Sequence, residues 1–376
     1  MVAGDPAERN AARLLVLGAG PAQLGLLAAA RRHDLYVIAV DRDPAAPGFR
    51  YADRRAIVST EDEAAIERLA AAERVDGLIA PGIDWPVAIA ARVADRLGLP
   101  HPVSPDTATL STSKLRQREV FAAAGVPQPA YVVCSGTDEA AAAAEQVGYP
   151  CVVKAPDRQG QRGLTLVPEP RRMRSAVEVA LDASRSATLL VEQHVAGHEV
   201  TVNGFSLGGR FRPLTVTDRL TAEPPAFGVA LAHVPRVGEV ATRLGGGHDA
   251  ELCRAVLGVD LNGLALAAAL GWEIAPLQLA PVAQAGGGCV RFLVAPTGEL
   301  RRVAGLEEAY AVDGIKGIRL YRKPGHRFGP LLRGSDRAGA ILAVSASREE
   351  ALRQADRAAE LIHFDTVPVE TPLQKV

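Results

Sequence analysis

Of the 42 basic residues in this 376-residue chain only five are lysine: Lys114, Lys154, Lys316, Lys323 and Lys375. Positive charge is written as arginine nearly everywhere, so the two lysines in the first 315 residues invite a reason. Lys114 lies in STSKLRQREVFAAAGVPQP, and Lys154 closes the apolar run CVVK. An ammonium is a compact point charge, whereas a guanidinium is a planar fork. Phosphate oxygens gripped in a tight cleft are a natural cause for keeping the smaller group. After Lys154 the segment DRQGQRG, residues 157–163, offers backbone N–H donors at Gly160 and Gly163 beside Arg158 and Arg162. Such a loop can close over a polyphosphate. Taken alone, it reads equally well as an ordinary hairpin loop.

Two further stretches carry acids at useful spacings. In LLVEQHVAGHEVTV, residues 189–202, a hydrophobic strand reaches Glu192 and a second acid, Glu199, follows seven residues later. An adenine can pair with exposed backbone there, and a carboxylate can accept from ribose hydroxyls; two solvated glutamates at strand ends is the plainer reading. His194 and His198, four residues apart and next to Glu199, raise a zinc site, but no third histidine is placed near them. In RVGEVATRLGGGHDAEL, residues 236–252, Glu239 and Arg243 precede three glycines and a helix start. A carboxylate at a strand end can hold Mg²⁺, which takes oxygen ligands and substrate phosphates. Arg243 can hold a carboxylate or phosphate through its fork.

The N-terminal run LLVLGAGPAQLG, residues 14–25, poses a different question, because strand, glycine turn and helix start together make an anion site. Asp41 ends the next strand, where a ribose-binding acid of a dinucleotide site belongs. The spacing argues against such a site. After Gly18 and Gly20 the third glycine is due at position 23, which is Gln23, and Pro21 removes an N–H.

These residues need elements to hold them. From 13 to 105, LLVLG, YVIAV, AIVST and DGLIAP read as strands, alternating with helices at 21–33, 62–73 and 86–97, the pattern of a parallel sheet. GLPHPVSP, residues 98–105, reads as a linker. A helix at 113–124 leads to a smaller unit with strands YVVC, CVVKAP, GLTLV and LLVEQ and helices at 137–147 and 172–184. Antiparallel patterning fills 199–241, helix returns at 249–270, and an α+β piece with an amphipathic helix at 347–362 closes the chain. With 48% hydrophobic residues, a length suited to two or three domains, and a net charge of −1, the chain has ample core material. Interspersed acids and bases argue against nucleic acid or an anionic membrane as partner. Cys134, Cys151, Cys253 and Cys289 are scattered, and read as reduced and buried in a cytoplasmic protein. No apolar stretch is long enough to span a bilayer.

Lysine before the AAGVPQP turn, VVKAP…GQRGL, VEQHVAGHEV and EVATRLGGG follow, in order, the pattern of the ATP-grasp superfamily, which the chain resembles over nearly its whole length. The stretch 286–362 resembles the C-terminal domain of the L-amino-acid ligase branch, itself related to biotin carboxylase. The resemblance implies a Rossmann-like domain over 1–105, an ATP-grasp domain over 106–270 with a lid subdomain at about 127–199, and an α+β C-terminal domain over 271–376. It implies that Lys114 and Lys154 contact ATP phosphates, that 158–163 with Gly160 and Gly163 is the lid, and that Glu192 and the backbone near Val195 bind adenine. Glu199 would take the ribose, Glu239 would ligate Mg²⁺ (or Mn²⁺ in its place), and Arg243 would face an acyl phosphate or the substrate carboxylate. The implied activity is ATP-dependent ligation of a small carboxylate to an amine or similar nucleophile, in a cytoplasmic protein compatible with a homodimer. ATP does not bind at the glycine turn on this reading.

Two departures from the family bear on activity. Its metal motif Glu-x-Asn has Ala241 in the third position, and a helix and strand that normally separate AFGVALAHV from PRVGEV are missing at residue 234. That piece supplies a further metal-binding acid, for which Asp218 and Glu223 are the replacements at hand. The alternative is therefore a catalytically weak or silent nucleotide-binding protein. A biotin-dependent carboxylase is a lesser alternative, since the chain carries no biotin-attachment motif.

Overall fold

The computed structural model describes residues 11–223, 226–236, 247–282 and 284–368. It divides into two compact units, one comprising the chain to Gly197 with Gly263–Glu273, the other His198–Asn262 with Ile274–Val376.

The first unit opens with β1 (Arg13–Leu17), α1 (Leu24–Arg32), β2 (Tyr36–Val40), β3 (Arg54–Ala56), α2 (Glu63–Glu73), β4 (Gly77–Ile79) and α3 (Trp85–Leu97). The four strands form a parallel sheet in the order β3-β2-β1-β4. Leu14 to Leu17 and Val37 to Val40 are wholly buried, as strands covered on both faces must be. At Gly77 an added Cβ would lie 2.2 Å from the carbonyl oxygen of Ala269, so only glycine lets these two backbones approach. The run AIVST does not form the third strand. The strand is Arg54–Ala56 and ends where that run begins, at an edge where pairing on one side alone tolerates exposed arginines.

Gly98, at φ +65°, ends α3, and the expected linker then stops at a helix cap. The Ser104 side chain accepts from Thr107 N–H and Pro105 takes the first position of α4 (Pro105–Thr112). Ser113 caps α5 (Lys114–Ala123) in the same way, which fixes Lys114 at the first helical position. There follow β5 (Tyr131–Cys134), α6 (Thr137–Val147), β6 (Cys151–Lys154), β7 (Leu164–Val167), α7 (Met173–Ala183) and β8 (Leu189–Gln193). The strands make an antiparallel sheet in the order β5-β8-β6-β7. Small residues of the two helices (Ala140, Ala143, Ala144, Ala176, Ala180) let them pack closely on Val153, Leu189 and Val191.

The second unit holds β9 (Val200–Leu207), β10 (Arg210–Thr221), β11 (Ala230–Arg236) and α8 (Asp249–Leu257). The helix expected over 249–270 is interrupted, because Gly258 at φ +72° ends α8 before α9 (Leu261–Ala269) begins. Beyond it come β12 (Gly287–Leu293), β13 (Gly298–Ala304), α10 (Leu306–Tyr310), β14 (Ile315–Leu320), β15 (Arg327–Phe328), β16 (Gly339–Ser345), α11 (Arg348–Leu361) and β17 (His363–Val367). One sheet has the order β14-β16-β12-β11-β10-β9, another β15-β13-β17. Every paired neighbour in both is antiparallel. The chain is thus a mixed α/β and α+β protein. Among the described residues no single helix is long and apolar enough to cross a membrane.

Candidate functional site

Glu192 sits on β8, a central strand, and is 3% exposed. A carboxylate buried in a sheet has to be paired. The register places Glu192 opposite Val152 and Lys154 opposite Leu190, so the acid and the lysine are diagonal neighbours on one face, within reach of long side chains. Lys154 Nζ lies 2.5 Å from Glu192 Oε2. Arg118, one turn along α5 from Lys114, completes the arrangement with two bonds, Nε to Oε1 at 3.0 Å and Nη2 to Oε2 at 3.1 Å. Two cations share one acid. Burial holds Lys154 below the usual lysine range even though Glu192 pulls it the other way.

Lys114, at the start of α5, is bonded to the loop that follows β6. Its backbone N–H donates to the Pro156 carbonyl at 2.9 Å and its ammonium donates to the Arg158 carbonyl. Burial lowers its pKa as well, with Lys154 adding to the effect and the acids Asp84, Asp157 and Glu192 opposing it. The loop closes at its base through Ala155 N–H to Gly163 O, 2.9 Å, and turns through positive φ at Gly160, Gln161 and Gly163. Arg185 ties it down. The backbone N–H of Arg185 donates to Asp157 Oδ2 and its Nη1 to the Asp157 carbonyl, both at 2.9 Å. Its Nη2 reaches Glu61 Oε1 at 2.6 Å, and its guanidinium lies 4.6 Å from the Trp85 ring centre. Gln159 accepts from Asp84 N–H. A cavity of about 150 Å³ remains where the loop meets the carboxyl ends of the parallel strands, with Asp41, Glu61, Asp84, Arg158, Arg162 and Arg185 on its wall. The other Asp157 oxygen, Oδ1, is buried with no hydrogen-bond partner among the described residues.

The glycine turn after β1 is differently employed. Asp41 uses Oδ2 on Ala19 N–H (2.9 Å) and Oδ1 on Asp43 N–H (3.0 Å), so the acid that could have met a ribose is spent on backbone. Gln23, in place of the third glycine, packs its side chain against Gly18 and donates to the Pro81 carbonyl at 2.6 Å. The turn is a closed structural corner.

In the second unit, Glu199 pairs with Arg219 at 2.6 Å. Val195, in the first unit, is 66% exposed. Asp218 pairs with Arg348 at 2.6 Å, and Glu223 is exposed. Glu239, Ala241 and Arg243 lie outside the described residues, as does most of the expected strand RVGEV. His194 and His198 fall in different units, and no cluster of three or more possible metal ligands occurs among the described residues. A further set of groups escapes sequence reasoning. His233 pairs with Asp249 at 2.6 Å, and His248 meets Tyr321 Oη at 2.6 Å and Glu251 at 3.1 Å. Arg337 lies with its guanidinium 3.7 Å from the Phe292 ring centre, its Nε buried and without a hydrogen-bond partner among the described residues. Burial lowers its pKa to about 10.

Comparison with known proteins supplies the context. Residues 113–202 match the model of the carbamoyl-phosphate synthase L chain ATP-binding domain, and residues 291–367 that of the L-amino acid ligase C-terminal domain 2. The chain is thus similar in these two stretches to ATP-grasp ligases, and it shares the fold of the solved structures of that superfamily. An uncharacterised protein, y4rH of Sinorhizobium fredii, is 28% identical over 90% of this chain and 80% of its own length. A formate-dependent phosphoribosylglycinamide formyltransferase of Paraburkholderia xenovorans is 35% identical over 40% of this chain, which spans only 38% of that enzyme. The crystal structure of an L-amino acid ligase from Bacillus licheniformis superposes with a TM-score of 0.77 over 95% of this chain and 99% of that one, at 17% identity. The biotin carboxylase domain of the Hydrogenobacter thermophilus 2-oxoglutarate carboxylase, solved with MgADP, does so with a TM-score of 0.72 over 94% and 91%, at 16% identity. In ATP-grasp terms, the ATP-binding match contains Lys114, Lys154, Gly160, Gly163, Glu192, Val195 and Glu199, while the ligase-domain match contains Tyr321 and Arg337.

Proposed function

We propose that this protein, which has the ATP-grasp fold, is an ATP-dependent ligase that joins a small carboxylate to an amine or similar nucleophile. The observation that carries the reading is that two cations, Lys154 and Arg118, share the one buried acid Glu192 at the base of a glycine-bearing loop. A net cation held away from water is a site for an anion. On this reading Lys114 and Lys154 grip the phosphates, and the N–H groups of Gly160 and Gly163 close on them. Glu192 and the backbone near Val195 take the adenine, and Glu199 the ribose. Glu239 would hold Mg²⁺, which supplies charge neutralisation at the phosphates when bound. Arg243 would face the acyl phosphate or the substrate carboxylate. The substrate's carboxylate oxygen bonds to the γ-phosphorus as the bond to ADP breaks. The nucleophile's nitrogen then bonds to the acyl carbon, phosphate leaves, and the amine sheds a proton. Arg337, a half-buried cation stacked on Phe292, is suited to hold an acidic group of one substrate.

A phosphate-release screen over amino acids and small carboxylates, with Mg²⁺ and ATP, tests the reading. ADP and phosphate should appear only when a carboxylate and a nucleophile are both present. A second reading, nucleotide binding without turnover, is favoured by the ion pair of Asp218 with Arg348, which engages an acid that could replace the missing metal ligand. That protein would bind ATP and release nothing with any substrate pair.

A further inference from the structure

Glu192 has one negative charge and two cationic partners, although a single one would neutralise it. The two are not equivalent. Arg118 engages both carboxylate oxygens through its fork and is itself fixed, its carbonyl accepting from Gln128 Nε2 at 2.9 Å. Lys154 makes one contact from a flexible stem. We propose that Arg118 is a positioning residue that keeps Glu192 paired when Lys154 turns from the acid to a phosphate, an inference that rests on the nucleotide role proposed above.

The argument is one of stranded charge. Were Lys154 the sole partner, moving its ammonium to a phosphate would leave a buried carboxylate bare, which is strongly unfavourable. With Arg118 in place, Glu192 keeps two bonds whichever way Lys154 points. The fork holds, and the point charge exchanges. Without Arg118, acid and lysine would form a closed neutral pair, and the phosphate would have to break it. The neighbouring Lys114, one helical turn before Arg118, then has a companion cation rather than a quenched one.

Arg118→Met and Glu192→Gln, singly and together, test this against the simpler role of fastening α5 to β8. Arg118→Met should weaken binding of a non-hydrolysable ATP analogue about tenfold or more, with adenosine affinity changed less than about twofold, because only the phosphate grip needs Lys154 released. In the Glu192→Gln background there is no charge to strand, so the further loss of Arg118 should cost less than about twofold. A fastening role predicts the same loss in both backgrounds, and that result overturns the proposal, as does an Arg118→Met variant that binds the analogue like wild type. A readout independent of nucleotide is acylation of Lys154 by an amine-reactive ester at fixed pH, followed by peptide mass spectrometry. With Glu192 pairing to Lys154 alone, the reaction should slow several-fold in Arg118→Met; an unchanged rate overturns the charge sharing. If wild type fails to bind the analogue while labelling still responds to Arg118, the nucleotide role falls, and the phosphate half of this proposal with it.

Discussion

Lys154 is the residue on which most of the proposed chemistry turns, and the scarcity of lysine in this chain is what singles it out in the sequence. Its partner Glu192 was legible as a strand-end acid. Arg118 was not, since an arginine among many carries no signal until the helix and sheet bring it to the acid. Lys154→Ala should weaken binding of an ATP analogue by about 1.5–3 kcal/mol, the scale of a charged hydrogen-bonding partner. Glu192 would still be paired with Arg118, so the fold should persist. Lys316→Ala, at an exposed position on β14, should leave the calorimetric affinity unchanged. Burial lowers both Lys114 and Lys154 below the ordinary lysine range. Phosphate binding needs the ammonium form, so affinity should decline on the alkaline side before an ordinary lysine would titrate, which a pH series of titrations reads directly.

A second acid tests the same physics in the other unit. Burial alone would raise Glu251, but His248 and Arg319 beside it outweigh that and carry it from 4.5 down to about 2. A carboxylate depressed in the folded state contributes stability that is present above its unfolded pKa. That contribution is lost as pH falls from about 4.5 towards about 2. Melting temperatures of wild type and Glu251→Gln should therefore differ near neutrality and converge across that window; a constant difference down to pH 2 would contradict the assignment.

At the scale of elements, the parallel sheet could be read from its apolar runs, because strands covered on both faces leave that plain trace. The polar strands β13 and β17 leave none, and α4 begins on the last residue of a proline-rich stretch, where Ser104, Pro105 and Asp106 mark its start. The loop after Lys154 was legible as a loop, but not its fastening by Arg185, which lies 22 residues beyond Gly163 in the chain. Gly163→Ala should destabilise the unit by about 1–3 kcal/mol, because a side chain at φ +70° is strained and its Cβ would lie 2.7 Å from that of Ala183. Residues 157–163 should gain amide-exchange protection when ATP is added, since the N–H groups of a glycine-bearing turn are what phosphates would order. Protection unchanged by ATP would mark a plain hairpin.

For the molecule as a whole the open matter is turnover, and it centres on the junction at residue 234. Here β11 runs through His233-Val234-Pro235 as one strand and pairs with β10 on one side and β12 on the other, so among the described residues no further strand enters between them. The acid that the family's extra segment would bring has one partly buried stand-in, Asp218, and Arg348 holds it at 2.6 Å. Two metal ions beside a triphosphate need more than one protein carboxylate to fix them. Glu239→Gln should accordingly abolish turnover while leaving adenosine affinity intact. If Asp218 is the second ligand, Arg348→Met should release it and lower the Mg²⁺ concentration for half-maximal ADP release, and Asp218→Asn should abolish that gain. A wild type that binds ATP yet frees no ADP with any carboxylate, joined by an Arg348→Met variant equally silent, would establish the binding protein over the ligase.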